Sequence, residues 1–303
     1  MRVGVSLRSG YDTEDGRRGA QWIVERARAA RQAGLDSLFV GDQHVTAYAY
    51  YQNSPILARL LAEWGDRPAG ALYLLPLWHP VLVAEQVATL AALSAGPFVL
   101  QCAIGGGEAQ FAGMGIELGE RRSRFEAALD IVRRLLAGEE VSASGPWAIE
   151  RARVGPSPAE PVEVWIGAAA PPAVARAARL GDAWIAGPYA TGEELAGQVA
   201  EYRQACTASD RRPSAVVVRR DIHVGRDDDD ARRVAEPVIG RGYRGLRPEV
   251  LVVGGPEHVA DEFRRLAALG FSEVLVRHLA DDQREVLASF ERLADVRRLV
   301  ADA

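Results

Sequence analysis

The chain has 303 residues, of which 48% are hydrophobic and 25% are charged, and its formal net charge is −5. This length suits one large domain, so we expect a single domain over residues 1–303. The modest negative charge gives no electrostatic reason to expect nucleic acid or an anionic membrane as a partner. All 36 basic residues are arginine, which excludes a Schiff-base lysine and a Walker-type phosphate lysine.

The two cysteines are Cys102 and Cys206. Cys102 lies inside an apolar run and is predicted to be a buried free thiol. The sequence contains no CxxC pair, which argues against a structural zinc site. The chain starts on a strand pattern rather than a signal peptide, and it contains no apolar stretch long enough to span a bilayer. We therefore expect a cytoplasmic protein.

Short apolar runs alternate with amphipathic segments of helical period along the chain. The runs predicted as strands are Val3–Leu7, Ser37–Val40, Ala69–Leu75, Phe98–Ala103, Val162–Gly167, Asp182–Ala186, Ala215–Val224 and Ser272–Arg277. The segments predicted as helices are Gln21–Ala33, Pro55–Glu63, Val81–Leu93, Glu120–Ala137, Ala173–Leu180, Glu193–Ala208, Pro256–Leu269 and Arg284–Val300. The less regular segment Val141–Glu150 is interpreted as an excursion with a hairpin.

Alternation of this kind indicates an α/β protein with a parallel sheet. Eight strands favour a closed (β/α)8 TIM barrel with small insertions. The alternative is a two-domain Rossmann-like protein, and the absence of a GxGxxG motif after the first strand argues against it.

Active sites of barrels lie where the carboxyl ends of the strands meet. The second strand is followed by Asp42, Gln43 and His44. Histidine titrates near neutral pH, so His44 is a candidate to transfer a proton or to contact substrate. The alternative is structural: Asp42 caps a helix and His44 has no role in catalysis. After the third strand, Trp78 could form one wall for a flat ring, whereas His79 is interpreted as the start of the next helix.

Small residues follow the fourth and fifth strands. Gly105, Gly106 and Gly107 would let the backbone pass close to a ligand, or would form an ordinary loop. Gly167, Ala168 and Ala169 run into a helix with proline in its first turn; this could be a phosphate site or tight packing of helix on strand.

Four segments, taken in order, carry a resemblance to a known family. They are Phe39–His44; Leu75–Pro80 with Ala84–Gln86; Phe98–Gly107 with Arg121–Glu126 and Leu136–Glu139; and Val164–Gly167 with Arg176, Leu180–Trp184 and Gly254–Ala260. Over nearly its whole length, the chain resembles the bacterial luciferase-like monooxygenase superfamily. That superfamily includes flavin-dependent monooxygenases and oxidoreductases that use the deazaflavin coenzyme F420.

The resemblance implies roles for particular residues. The isoalloxazine ring would lie over the third and fourth strand ends, supported by a non-proline cis peptide or a bulge near Ala71 and Leu72. The ring and ribityl chain would be lined by Ala103, Ile104, Gly105, Gly106 and Gly107. The backbone amides of Gly167, Ala168 and Ala169 would bind phosphate. His44 or Gln43 would face the substrate.

The same resemblance sets the functional hypotheses. The first is a monooxygenase that uses reduced FMN, supplied by a separate flavin reductase, and O2 on a small organic substrate. Its pocket would be walled by Trp78, Tyr48, Tyr50 and Tyr51. The alternative is hydride transfer with F420, and an alternative of another class is a non-catalytic flavin-binding barrel. A metal-dependent hydrolase is disfavoured because no pair of histidines at ligand spacing follows a strand. Homodimerisation is expected from the family alone.

Overall fold

A computed structural model of the chain describes residues 1–301. The strands are β1 (Arg2–Leu7), β2 (Gly10–Tyr11), β3 (Leu38–Val40), β4 (Ala49–Tyr50), β5 (Ala69–Leu74), β6 (Phe98–Ala103), β7 (Val141–Ala143), β8 (Ile149–Ala152), β9 (Glu163–Gly167), β10 (Ala183–Ala186), β11 (Ala215–Val224), β12 (Val252–Gly254) and β13 (Glu273–His278).

Ten α-helices accompany these strands within residues 1–301. They are α1 (Gly16–Gln32), α2 (Asn53–Trp64), α3 (Pro80–Leu93), α4 (Glu108–Gly113), α5 (Arg121–Leu136), α6 (Pro171–Leu180), α7 (Gly192–Ala208), α8 (Asp228–Gly240), α9 (Pro256–Leu269) and α10 (Gln283–Ala301). Short 3-10 turns lie at Leu75–Leu77, Leu118–Glu120, Tyr243–Gly245 and Pro248–Val250.

The strand order confirms the predicted fold class. Hydrogen-bonded neighbours follow the order β10-β9-β6-β5-β3-β1-β13-β11-β12, and β10 also pairs with β11. Eight of these strands therefore form a closed ring, with helices between them, as in a (β/α)8 barrel. These eight are the predicted strands, each displaced by no more than one residue at either end.

Contacts divide the chain into two compact units. The first contains Met1–Arg8, Arg17–Phe39 and the chain from Trp165 onward. Within it, β1 pairs with β13, β13 with β11, β11 with β10, and β10 with β9, all in parallel. Its strands are buried on both faces, as in β13, where all six residues are buried. Burial of this kind explains why these strands appear in the sequence as nearly continuous apolar runs.

The second unit contains Ser9–Gly16 and Val40–Val164. Its β5 and β6 pair in parallel without a register shift, from Ala69 opposite Phe98 to Leu74 opposite Ala103. The predicted hairpin in the 141–150 segment is confirmed by the antiparallel pairing of β7 with β8. Two-residue strands β2 and β4, which the sequence analysis did not predict, also pair in antiparallel orientation.

Cys102 is buried and free, as predicted, and Cys206 is also buried and free. No helix among residues 1–301 combines the length and the apolar composition needed to cross a membrane.

Candidate active site

Asp42 follows β3 and connects it to the residues that follow β5. The side chain is fully buried, and its Oδ2 accepts hydrogen bonds from the Leu74 backbone N–H and from Trp78 Nε1–H, both at 2.8 Å. A buried carboxylate is costly unless donors of this kind compensate for lost water. Asp42 is therefore fixed in place. It does not cap a helix, contrary to the structural alternative stated for this residue.

His44 lies directly beside that carboxylate. Its Nε2 is 3.2 Å from Asp42 Oδ1, and only 11% of its side chain is exposed. The ring packs edge-to-face on Trp78, with centroids 5.2 Å apart. Neither Nε2 nor Oδ1 has a hydrogen-bond partner of good geometry among the described residues, so both polar atoms remain available for proton chemistry. The structure thus brings together three of the predicted site residues.

The main chain of His44 is held by a residue that the sequence analysis missed. Gln110, on α4, accepts the His44 backbone N–H at Oε1 (2.8 Å) and donates from Nε2 to the Gly106 carbonyl (3.1 Å). One amide side chain therefore links the histidine segment to the glycine loop. The only sequence signal was a glutamine four residues after Gly106, one helical turn into a helix that was not predicted.

An apolar surface adjoins these polar groups. Trp78 packs on a buried cluster together with half-buried Leu72 and Ala103, two residues predicted to line a cofactor. The cluster consists of Leu74, Leu77 and Phe111. Partly exposed carbon atoms at adjacent strand ends can take up a flat ring, because burying them on binding is favourable.

Tyr73 lies behind this surface and is not poised to exchange a proton. Its ring packs edge-to-face on Trp78 at 5.4 Å, and its hydroxyl is 2.7 Å from Ser54 Oγ. Burial raises the pKa of Tyr73 well above its ordinary value; the Ser54 hydrogen bond opposes this rise and the charge of Asp42 adds to it. Tyr73 therefore stays a neutral phenol and serves to position Trp78.

The cis peptide or bulge expected near Ala71 and Leu72 is absent from this structure. Within residues 1–301 the one cis peptide bond is Gly155–Pro156. Ala71 and Leu72 pair regularly with Leu100 and Gln101 of β6. A bulge would insert an extra residue and shift that register, so the expectation was wrong here. Contact of Ala71 and Leu72 with a cofactor stays a prediction.

The loop after β6 has the open backbone that its sequence predicts. Gly105 and Gly107 have φ of +70° and +89°, values that side chains rarely tolerate. A Cβ atom on Gly106 or Gly107 would meet nothing within 4 Å. Ile104 and Gly105 are partly buried, whereas Gly106 and Gly107 are exposed. A ligand could therefore approach the backbone at Gly106 and Gly107 without a steric barrier.

We expect Gly107→Ala to lower the free energy of unfolding by about 1–2 kcal/mol, because alanine must enter a left-handed region. Gly106→Ala is the matched control, since its φ is not in that region and its surroundings are equally open. Urea denaturation of both variants measures the difference. Equal stability would mean that the loop relaxes freely and is not held in this conformation.

The predicted aromatic wall is only partly assembled. Tyr48 is 47% exposed, and its hydroxyl donates to Oε1 of the exposed Gln43 at 2.8 Å. Tyr51 instead donates its hydroxyl to the Gly16 carbonyl at 2.5 Å and packs edge-to-face on Tyr11. Tyr51 thus anchors the 9–16 segment, and its place in a substrate pocket stays a prediction.

In the first unit, the predicted phosphate segment follows β9. The Ala168 N–H donates to the Ile185 carbonyl at 3.1 Å, and the Ala168 carbonyl accepts from Trp184 Nε1–H at 2.9 Å. Pro171 and Pro172 open α6 and have no N–H. The helix start therefore offers fewer amide donors than usual, and the amide of Ala168 is already used. Phosphate binding by Gly167 and Ala169 stays a prediction.

Comparison with known proteins assigns the chain to a family. The family model described as luciferase-like monooxygenase matches residues 1–248. The chain belongs to the luciferase-like monooxygenase family. The resemblance stated from its motifs is thereby confirmed.

Among the relatives of this chain, an F420-dependent glucose-6-phosphate dehydrogenase of Kribbella flavida is 31% identical over 194 residues, covering 60% of this chain and 58% of the relative. The alignment thus spans less than two thirds of that protein. The enzyme of the same description from Intrasporangium calvum is 27% identical over 330 residues and covers 96% of this chain and 98% of the relative.

A solved structure shares the luciferase-like fold. It is the oxygenating constituent of 3,6-diketocamphane monooxygenase from Pseudomonas putida, a type II Baeyer-Villiger monooxygenase in complex with FMN. It is 17% identical, with a TM-score of 0.84, and covers 100% of this chain and 98% of that chain. At this identity the likeness supports the (β/α)8 barrel fold alone.

Proposed function

We propose that this chain is an F420-dependent oxidoreductase that moves a hydride between the deazaflavin and a carbon of a small alcohol or carbonyl substrate. The observation that carries the proposal is the placement of His44 beside the buried carboxylate of Asp42. Oxidation of an alcohol by hydride transfer requires a group that takes the hydroxyl proton. Both curated relatives described above are F420-dependent dehydrogenases, which favours this alternative over the FMN monooxygenase.

The residues present fit a flavin-like ring. Leu72, Trp78 and Ala103 offer a partly exposed apolar surface. Beside it, Gly106 and Gly107 leave the space that a Cβ atom would fill. His44 lies beside this surface, with its Nε2 3.2 Å from Asp42 Oδ1 and its ring against Trp78.

When bound, the deazaflavin accepts or supplies the hydride. His44 takes the proton from the substrate hydroxyl as the carbon–hydrogen bond breaks, so that one hydride and one proton leave and a carbonyl group forms. The Asp42 carboxylate, 3.2 Å from Nε2, stabilises the imidazolium that results. The indole N–H of Trp78 is hydrogen-bonded to Asp42, and the indole ring packs on the imidazole of His44. Trp78 thereby fixes the imidazole and excludes water.

The test is a cofactor titration followed by turnover. F420, FMN and reduced FMN are each titrated into the purified protein and followed by fluorescence and calorimetry. We expect F420 to bind at least roughly tenfold more tightly than FMN, a difference of about 1.4 kcal/mol. We also expect the F420 absorbance to bleach with at least one member of a panel of alcohols that includes glucose 6-phosphate. Failure to bind F420 would overturn the proposal.

A second candidate function is a monooxygenase that receives reduced FMN from a separate reductase. It is favoured by the fold shared with an FMN-bound monooxygenase and by the indole ring of Trp78, which packs on His44. Preferential binding of reduced FMN, with product that depends on O2, would support this candidate. Binding of either cofactor without turnover of any substrate would support a non-catalytic barrel, and sedimentation would test the expected homodimer.

A further inference from the structure

A group of charged side chains in the first unit has no place in the proposed hydride-transfer chemistry. Arg219 and Asp221 are alternate residues of β11, and Asp221 is opposite Arg277 of β13 in the parallel register. Alternate residues of a strand, and residues opposite each other on neighbouring strands, point to the same face of a sheet. Tyr243 and Arg244 lie in the turn after α8. The Tyr243 hydroxyl is hydrogen-bonded to Asp221, and the positive charge of Arg244 lowers the pKa of Asp221. We call these five residues the β11–β13 cluster.

The one carboxylate of this cluster is already satisfied. Asp221 accepts Nε–H and Nη2–H of Arg219, one at each oxygen and both at 2.8 Å. The Tyr243 hydroxyl donates to Oδ2 at 2.8 Å. Burial alone would raise the pKa of Asp221, but the positive charges of Arg219, Arg277 and Arg244 hold it below the ordinary value. Asp221 is therefore ionised, and the bidentate pair neutralises Arg219.

Arg277 is left without such a partner. The residue is 9% exposed, and its Nε has no hydrogen-bond partner among residues 1–301. Burial, together with the positive charges of Arg219 and Arg244, lowers the pKa of Arg277 to about 10, so the guanidinium remains charged at neutral pH. The cluster therefore holds three positive charges and one negative charge. A buried cation without compensation is costly.

Burial of an arginine does not by itself indicate a ligand in this protein. Arg220, the neighbouring residue on β11, is also buried, and its Nη2 donates to the Ala190 carbonyl at 2.8 Å. Because Arg220 alternates with Arg219 and Asp221, it points to the other face of the sheet. Arg220 is thus held by a main-chain acceptor, whereas the Nε of Arg277 has no hydrogen-bond partner among residues 1–301.

We propose that Arg277 and Arg244, next to the Arg219–Asp221 ion pair, form a binding site for an oxyanion, a phosphate or carboxylate group, near the carboxyl end of β13. Guanidinium groups bind such oxyanions through paired N–H donors. The carboxyl ends of the strands are where this fold binds ligands. The group is carried by the substrate or by the cofactor. The site itself does not depend on which cofactor the enzyme uses.

The test uses the whole cofactor-free protein with inorganic phosphate as the probe. Binding is followed by calorimetry and by thermal unfolding, with chloride replacing phosphate at constant ionic strength. We expect phosphate to bind and to raise Tm more than chloride does. Arg277→Met should weaken phosphate binding by roughly tenfold or more. The phosphate affinity of Arg277→Lys should lie between those of the parent protein and Arg277→Met, because lysine keeps the charge but loses the paired donors.

Two further variants keep the test decisive. Arg244 is exposed, so Arg244→Ala is expected to fold and to weaken phosphate binding even if Arg277→Met does not fold. Arg220→Met removes a buried arginine from the opposite face of the same strand and should leave phosphate affinity unchanged. The proposal would be overturned if phosphate did not stabilise the parent protein more than chloride does. Affinity equal to that of the parent protein in both Arg244→Ala and Arg277→Met would also overturn it.

The source of the anion is distinguished by repeating the titration with saturating F420 and FMN. If a bound cofactor abolishes phosphate binding, and Arg277→Met weakens that cofactor's affinity, the site takes the cofactor's own phosphate. If phosphate still binds to the loaded protein, the site takes an acidic substrate. Binding of phosphate by a protein that binds neither cofactor would support this site and contradict the proposed function, so the two can fail separately.

Discussion

Replacing His44 by alanine is expected to lower kcat by about 10²–10⁴-fold, the usual contribution of a positioned acid or base. The reason is local. His44 contacts both the Asp42 carboxylate and the Trp78 ring. Because the imidazole is replaced by a methyl group, water would have to take the substrate proton. The Kd for the cofactor should change little, so the loss should appear in kcat rather than in KM.

Two variants separate this effect from a general loss of structure. His258, exposed and 3.6 Å from Asp228, is a second histidine–aspartate pair outside the proposed site, and His258→Ala should leave kcat unchanged. Asp42→Asn keeps an oxygen for the Leu74 and Trp78 donors but removes the charge that stabilises the imidazolium. We expect an intermediate loss in kcat. Full turnover by His44→Ala would remove the histidine from the mechanism.

The positions of the barrel strands could be predicted because strands buried on both faces must be apolar throughout. Phe98–Ala103 and Ala215–Val224 have the predicted bounds, although the second contains Arg219, Asp221 and His223. Its length and its β-branched residues were sufficient. The run of aspartates from 227 to 230 begins α8, and Asp227 caps this helix by accepting the Asp230 N–H.

The elements that were missed are short or interrupted. Helix α4 has six residues, too few for a helical period to be visible, and α8 contains Pro237. Strand β12 has three residues, and β2 and β4 have two each. Their existence depends on tertiary pairing rather than on local sequence. Gln110 was missed for this reason, because its role follows from its position on α4.

The candidate site could be predicted as a set of residues but not as a set of contacts. In the sequence, Asp42 is the first residue of an Asp-Gln-His run, yet its hydrogen-bond partners lie 32 and 36 residues away. Which donors reach it depends on how β5 ends, and the sequence does not show this. The β11–β13 cluster was missed for a similar reason. Arg219, Asp221 and Arg277 lie inside predicted strands, and only the strand register brings them to one face.

Trp184→Ala is expected to lower the free energy of unfolding by about 3–5 kcal/mol, as for other fully buried aromatic residues. Trp184 on β10 is fully buried. Its ring packs on Tyr202 with centroids 5.0 Å apart and on Phe271 at 6.0 Å. Removing it leaves a cavity that these two rings can fill only in part. It also leaves the Ala168 carbonyl without its indole donor. The midpoint of urea denaturation, at constant slope, measures the loss.

Trp184→Phe separates packing from hydrogen bonding at the same position. The variant keeps a ring against Tyr202 and Phe271 but loses the N–H and part of the indole volume, so we expect a cost of about 1–3 kcal/mol, in the range for a buried acceptor left unpaired. Because the lost bond holds Ala168, this variant should also weaken cofactor binding if the 167–169 segment binds phosphate. Unchanged cofactor affinity in a folded Trp184→Phe protein would move the cofactor phosphate away from Ala168. Arg244 and Arg277 would then be the stronger candidates to bind it.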